Sequence, residues 1–64
     1  MAFLSGETTK GWAVIHDDSD QLAGFFGTER EALLALSQLG DGYIAGYGEK
    51  EVDSDRFFME HKIA

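Results

Sequence analysis

Only one stretch of the sequence carries a complete set of helix signals, and segments rich in β-forming residues flank it on both sides. Thr28 is followed three residues later by Glu31, which is the spacing of a capping box at a helix start. Gly40 follows Leu39 and is suited to end the helix, because glycine adopts the left-handed conformation at little cost. At about 100° per residue, one apolar stripe faces the rest of the protein, and Leu34 lies on the opposite side. The stripe consists of Ala32, Leu33, Leu36 and Leu39.

The segment before the helix predicts a β-hairpin. Residues 11–16 and 21–26 are rich in β-branched and aromatic side chains, which favour strands. The Asp- and Ser-rich stretch 17–20 predicts a turn, because these side chains can bond to their own backbone. Residues 5–9 are polar and turn-like, and large apolar residues occupy both faces of the first strand.

The segment after the helix predicts a second pair of strands. Residues 42–52 and 56–64 are extended, and a second Asp- and Ser-rich turn at 53–55 joins them. Alternation in 56–64 favours a strand, with a short helix capped near Ser54 or Asp55 as the alternative. One side of that strand carries Phe57, Met59, His61 and Ile63.

The element order β-β-α-β-β predicts an α+β fold in which a small antiparallel sheet carries one helix on one face. Residues 1–64 are short enough for a single compact domain. Phe3 and Leu4 form a short apolar start that is a candidate extra edge for the sheet. We expect the second face of the sheet to be covered by this start or by residues 56–64, or else to offer an aromatic side chain to a partner.

Charge limits the possible partners. Twelve acidic and five basic residues give a net charge of −7. A field of this sign repels nucleic acid and anionic membranes, and it speeds encounter with basic proteins. We therefore expect the partner to be a basic protein surface, with neither direct nucleic-acid binding nor membrane binding.

We expect no enzyme activity, no metal and no cofactor. Cysteine is absent, so disulfides and thiolate metal sites are excluded. His16 and His61 show no metal-ligand spacing, and the acidic turn 17–20 does not fit the pattern of a calcium loop. The glycines of residues 40–48 match neither the dinucleotide nor the phosphate-loop spacing, and no serine has the context of a nucleophile elbow.

Two acidic segments supply the candidate partner-binding carboxylates. Residues two apart in a strand project to the same side at about 6.6–6.8 Å, a repeat comparable to successive phosphates of one nucleic-acid strand. We expect only the first two carboxylates of the second segment to be colinear, because the turn at 53–55 bends the row. Turn and capping chemistry also favours carboxylates at such places, but it does not explain the shortage of lysine and arginine among them. The candidates are Glu49, Glu51, Asp53, Asp55, Asp17, Asp18 and Asp20.

Two apolar side chains complete the candidate set. Tyr47 shares the side of Glu49 and Glu51 if no bulge intervenes, and Leu34 lies on the outer side of the helix. An aromatic or aliphatic anchor inside a charged rim is the usual form of a binding hot spot. Tyr47 and Leu34 are therefore candidate anchors for a partner.

In length, acidity, lack of cysteine and α+β pattern, the chain resembles small phage-encoded anti-CRISPR proteins. Several members of that class are similar to DNA in charge layout. The resemblance implies an inhibitor that occupies the basic groove of a CRISPR surveillance or effector complex and blocks target DNA binding. Residues 12–39, with their strand-turn-strand pattern, Thr-x-x-Glu motif and leucine-rich helix, also resemble the ββα half of HicB-type antitoxins. That second resemblance implies a protein–protein interaction domain.

The functional hypotheses predict different oligomeric states and different dependence of binding on salt. A DNA mimic binds through carboxylates and weakens steeply with salt, whereas an antitoxin-like domain binds through apolar residues. A third possibility is a structural phage protein that buries surplus apolar surface against its own copy. We expect a monomer or a weak homodimer. Residues 2–4 are too short an apolar run for a signal peptide, so we expect the cytoplasm, which is that of the bacterial host if a phage encodes the chain.

Overall fold

The structure, a computed structural model, describes residues 7–64. Four strands form one antiparallel sheet in the order β2-β1-β3-β4, and one helix packs on it, which confirms the α+β class and the β-β-α-β-β order. The elements are β1 (Thr8–His16), β2 (Leu22–Phe26), α1 (Glu29–Leu39), β3 (Tyr43–Glu51) and β4 (Phe57–Lys62). The candidate extra edge at Phe3 and Leu4 lies outside the described residues.

The first strand is longer than its apolar part predicts. β1 begins at Thr8 rather than at residue 11, and it pairs with β3 without interruption from Thr8 opposite Glu51 to His16 opposite Tyr43. Threonine suits a pleated strand, and pairing with β3 satisfies the backbone groups of this polar end. The polar residues 8 and 9 therefore belong to the sheet and not to a turn.

The helix begins and ends where the sequence predicts. The hydroxyl of Thr28, which has extended backbone, accepts a hydrogen bond from the N–H of Glu31 at 3.2 Å. At the other end, the N–H of Gly40 donates to the carbonyl of Leu36 at 3.1 Å, and Gly40 has a φ of 85°. Glycine adopts this φ without the strain that a Cβ would bring.

The buried stripe of the helix is narrower than predicted. Ala32 is buried against Val14 and Ala45, and Leu36 packs at the margin of this core. Because the side chains at the centre of the contact are small, α1 lies close to the sheet and only a narrow stripe is covered. Leu33 and Leu39, which were expected to face the sheet, are 37% and 45% exposed.

The second face of the sheet is covered by its own edge strands. The central strands carry Ile15 and Ile44 at one end of this face and small residues over the rest, and Phe25 of β2 and Phe57 and Met59 of β4 extend over the small residues. The ring centroids of Phe25 and Phe57 lie 6.1 Å apart. The segment 56–64 thus supplies part of the cover, as one of the sequence alternatives has it. The small residues are Gly11, Ala13, Gly46 and Gly48.

A bulge in β4 breaks the predicted alternation of the last segment. Gly48 is opposite Met59, but the preceding residue of β3, Tyr47, is opposite His61, so Glu60 is an extra residue. A bulge shifts the side-chain alternation by one position. His61 consequently lies on the helix side of the sheet, as does Ile63, which packs against the core under α1. The expectation that Phe57, Met59, His61 and Ile63 share one side is therefore wrong.

Candidate partner-binding surface

The unbroken pairing of β1 with β3 puts Glu49, Glu51 and Tyr47 on one face of the sheet, the face that carries α1. Both carboxylates are half-buried and already engaged. Glu49 accepts a hydrogen bond from the hydroxyl of Thr8 at 2.8 Å, and Glu51 accepts one from the hydroxyl of Ser54 at 2.8 Å. These bonds fix the side chains, so this pair forms a rigid part of the acidic surface.

Asp53 and Asp55 are exposed in the turn between β3 and β4. Ser54 orders this turn, because its hydroxyl accepts a hydrogen bond from the N–H of Arg56 at 3.1 Å. The turn ends the colinear row after Glu51, as the sequence predicts.

The turn at 17–20 meets the loop after the helix. The N–H of Asp17 donates to the carbonyl of Gly42 at 2.9 Å, which brings Asp41 to the same end of the protein. We call this surface the acidic end. It consists of Asp17, Asp18, Asp20 and Asp41, all of them exposed.

The helix terminus beside the acidic end carries no compensating positive charge. The last turn of α1 ends at this side of the protein and holds no basic residue, so the partial negative charge of the helix terminus adds to the carboxylates. Asp41 was not a sequence candidate for partner binding. It lies near Asp17 because His16 and Tyr43 pair at the ends of β1 and β3. This pairing is a long-range feature that local sequence patterns do not predict.

The two apolar candidates lie in different settings. Tyr47 is half-buried against Trp12, with ring centroids 4.9 Å apart, so most of its surface serves the fold. Leu34 is 60% exposed and lies beside Leu33 in a shallow groove of about 530 Å³ on the outer face of α1. The other residues that line this groove are Glu29, Arg30 and Ser37.

A cleft over the second face of the sheet is lined by residues of both hairpins. It has a volume of about 400 Å³, and we call it the hairpin cleft. The first hairpin contributes Asp20, Gln21 and Leu22, and the second contributes Asp55, Arg56, Phe57 and Phe58. The register of β1 with β3 nevertheless places the turn at 17–20 and the turn at 53–55 at opposite ends of the sheet, so the two acidic segments form separate groups.

Within residues 7–64, the only ion pair joins the exposed side chains of Lys10 and Glu60 at 3.3 Å. Glu60 raises the pKa of Lys10, first through the hydrogen bond that it accepts and then through its charge. None of the candidate carboxylates has a cation within ion-pair distance in this part of the chain.

The raised pKa of Lys10 predicts a loss of stability in alkaline solution. A lysine whose pKa is higher in the folded state stabilises the fold fully below its unfolded pKa, and this contribution disappears as the pH rises through the folded value. Glu60→Gln should therefore flatten the fall in melting temperature above pH ~10.4, the ordinary lysine pKa. Melting curves over this range check the expectation, with Glu7→Gln as the control. Parallel curves for wild type and Glu60→Gln would contradict it.

The described residues show no group of three or more His, Asp or Glu side chains arranged to hold a metal ion. His16 packs against Tyr43 instead, with ring centroids 4.6 Å apart. In the same part of the chain, no helix has the length and apolar character needed to cross a membrane.

Comparisons with known proteins do not identify a relative. No family model, curated protein or solved structure matches this chain. The charges and shape of its own surface are therefore the basis for a functional proposal.

Proposed function

We propose that this protein is an anti-CRISPR-like inhibitor. It binds a basic nucleic-acid-binding surface of a CRISPR surveillance or effector complex by acidic mimicry, and it thereby blocks target DNA binding. It acts in the cytoplasm of the bacterial host, without enzyme activity or a cofactor. The acidic end is the observation that carries the proposal, because four exposed carboxylates meet a helix C-terminus that has no basic residue in its last turn.

The fold alone does not account for this arrangement. Like charges repel, and carboxylates near a helix C-terminus oppose the helix dipole, so both features lower stability. Turn chemistry explains why aspartates stand in hairpin loops, but it does not require the last turn of α1 to lack a cation. Binding to a cationic partner turns this repulsion into attraction and also speeds encounter.

The proposal is tested by measuring how the protein inhibits target DNA binding by purified CRISPR complexes in a mobility-shift assay. We expect inhibition at about 50 mM salt and strong weakening at about 200 mM, because screening acts on exposed charges. Asp18→Asn/Asp41→Asn should raise the concentration needed for half inhibition about tenfold. The control Glu7→Gln/Glu29→Gln removes equal charge away from the acidic end and should have a much smaller effect. Inhibition that is insensitive to salt, or equal for both variants, would refute mimicry through this surface.

The groove on α1 supports a second candidate function, an antitoxin-like or other protein–protein interaction domain. Leu33 and Leu34 expose apolar surface side by side, which is typical of a helix that packs against a partner. This function predicts binding that changes little with salt, is lost in Leu34→Ala and is retained in Asp18→Asn/Asp41→Asn. The same set of variants therefore separates the two functions.

A further inference from the structure

The outer face of α1 carries a second apolar stripe, separate from the stripe that packs on the sheet. Leu33 and Leu34 are 37% and 60% exposed on this face. The other residues that line the groove beside them recur at the three- and four-residue spacing of one helix face. Leu34 is the middle residue of α1. The groove therefore follows the outer face of the helix, with an exposed leucine at the midpoint of the helix.

The two halves of this helix differ in charge. The first turn carries Glu29, Arg30 and Glu31, whereas no residue of 34–39 is charged. Arg30 is exposed and has no ion-pair partner within residues 7–64. The last carbonyls of a helix carry a partial negative charge, and no basic side chain of the last turn compensates it here. A second helix that runs antiparallel to α1 would supply this cation from its own first turn.

We propose that α1 pairs with α1 of a second copy of this chain, in an antiparallel arrangement with a twofold axis at Leu34. Positions equally far from Leu34 in opposite directions then face each other, so Arg30 faces Gln38 of the other copy. The amide of Gln38 can accept a hydrogen bond from this guanidinium and donate one to the carboxylate of Glu29. The hydroxyl of Ser37 donates to the carbonyl of Leu34 at 2.8 Å, so this small side chain leaves room for the facing leucine.

Other occupants match the groove less well. Its rim carries one carboxylate and one guanidinium, so neither a strongly acidic nor a strongly basic surface complements both. The second half of α1 meets both requirements, because it is uncharged, exposes leucine and offers a donor and an acceptor through Gln38. The helix is only about 16 Å long, which gives a small interface. The net charge of −7 on each copy also opposes association, so the dimer is weak and forms at high concentration.

Sedimentation equilibrium of the full chain, from about 10 μM to about 1 mM in about 150 mM salt, tests the inference. We expect the weight-average mass to rise with concentration from 7.0 kDa towards twice that value. Leu34→Ala should weaken association at least about tenfold, because it removes apolar surface from both copies. The control Leu39→Ala makes the same change on the same helix at a residue that is 45% exposed and does not line the groove. It should weaken association less than about twofold. A mass that stays at 7.0 kDa at every concentration, or equal effects of the two variants, would overturn the proposal.

A charge exchange tests the antiparallel arrangement. Arg30→Glu should weaken association about tenfold, because it places a carboxylate beside the terminal carbonyls of the other copy. Adding Gln38→Arg should restore association to within about threefold of wild type, since position 38 of one copy faces position 30 of the other. The two positions are about 12 Å apart along one helix, so this rescue does not arise within one copy. Adding Gln21→Arg instead introduces the same charge at an exposed position of the first hairpin and should not restore association. Rescue by both additions, or by neither, contradicts the arrangement.

The inference is independent of the proposed inhibition. Each acidic end lies beside the C-terminus of its own α1, so an antiparallel pair has one acidic end at each end of the two helices. If the mass rises and the charge exchange restores association while target DNA binding is not inhibited, the dimer stands and the anti-CRISPR function falls. If inhibition is strong and salt-sensitive while the mass does not rise, the function stands and the dimer falls.

Discussion

Replacing Gly48 with alanine should lower the free energy of unfolding by about 3 kcal/mol, measured by urea denaturation with circular dichroism. A Cβ at this position would collide with the carbonyl group of Phe58 and lie 2.9 Å from the Cα of Met59. Both contacts are to the backbone of β4, so relief requires the strand to move away at its bulge. Because a domain of this size without cross-links has only about 3–5 kcal/mol of stability, the variant should be largely unfolded.

Gly27→Ala is the control for this substitution. Apart from its chain neighbours, no residue has an atom within 4 Å of a Cβ at position 27, and its backbone is not in the left-handed region. This variant should change stability by less than about 0.5 kcal/mol. Equal denaturation midpoints for Gly48→Ala and Gly27→Ala would contradict the close approach of β4 to β3.

Replacing Phe25 with alanine should cost about 2–3 kcal/mol, since it opens the cover of the second sheet face. A Cβ added to Gly11 would lie 2.7 Å from the ring of Phe25, which shows how closely this side chain lies on β1. Its loss also removes the edge-on contact with Phe57. Thermal and urea unfolding of the variant measure the cost.

Phe58→Ala is the matched control, because it makes the same chemical change on the other edge strand. Phe58 is 53% exposed, so its truncation should cost less than about 1 kcal/mol. If both phenylalanine variants lose equal stability, the second face is not held by Phe25. If neither variant loses stability, the cover contributes nothing to the fold.

Local signals in the sequence predict the elements well. The capping box at Thr28 and Glu31 and the terminator Gly40 define α1, because a cap depends only on residues within one turn. The acidic turns and the alternation around them likewise locate both hairpins. The class and the element order follow from these local patterns.

Long-range proximity is what the sequence does not reveal. The extra residue Glu60 turns His61 to the other side of the sheet, and nothing near it in sequence signals a bulge. Leu33 looks like a core residue by periodicity, but the close approach of a narrow alanine-lined contact leaves it partly exposed. The width of a helix contact depends on the side chains that face it from other strands.

The candidate surface likewise combines features that the local sequence predicts with features that depend on long-range contacts. Aspartates 17, 18 and 20 are adjacent in sequence and were predicted as one group, whereas Asp41 joins them only through the bond between Asp17 and Gly42. The separation of the turn at 17–20 from the turn at 53–55, at opposite ends of the sheet, likewise follows from the register of β1 with β3. Charge is thus visible in the sequence, but the grouping of charges is a property of the sheet.

On the second sheet face, glycines of the central strands lie under bulky side chains of the edge strands, and the two fit each other in volume. Gly46 leaves no room for a Cβ because the thioether of Met59 lies only 2.6 Å from where it would be, and Gly11 stands in the same relation to Phe25. A Cβ at Gly46 would also lie 2.7 Å from the carbonyl oxygen of His61, and one at Gly11 would lie 2.8 Å from that of Phe26, so a smaller edge side chain alone would not make room. Relatives of this chain are therefore best sought by glycine at positions 11 and 46 beside bulky edge-strand residues, since the fold constrains these positions more than it constrains surface charge.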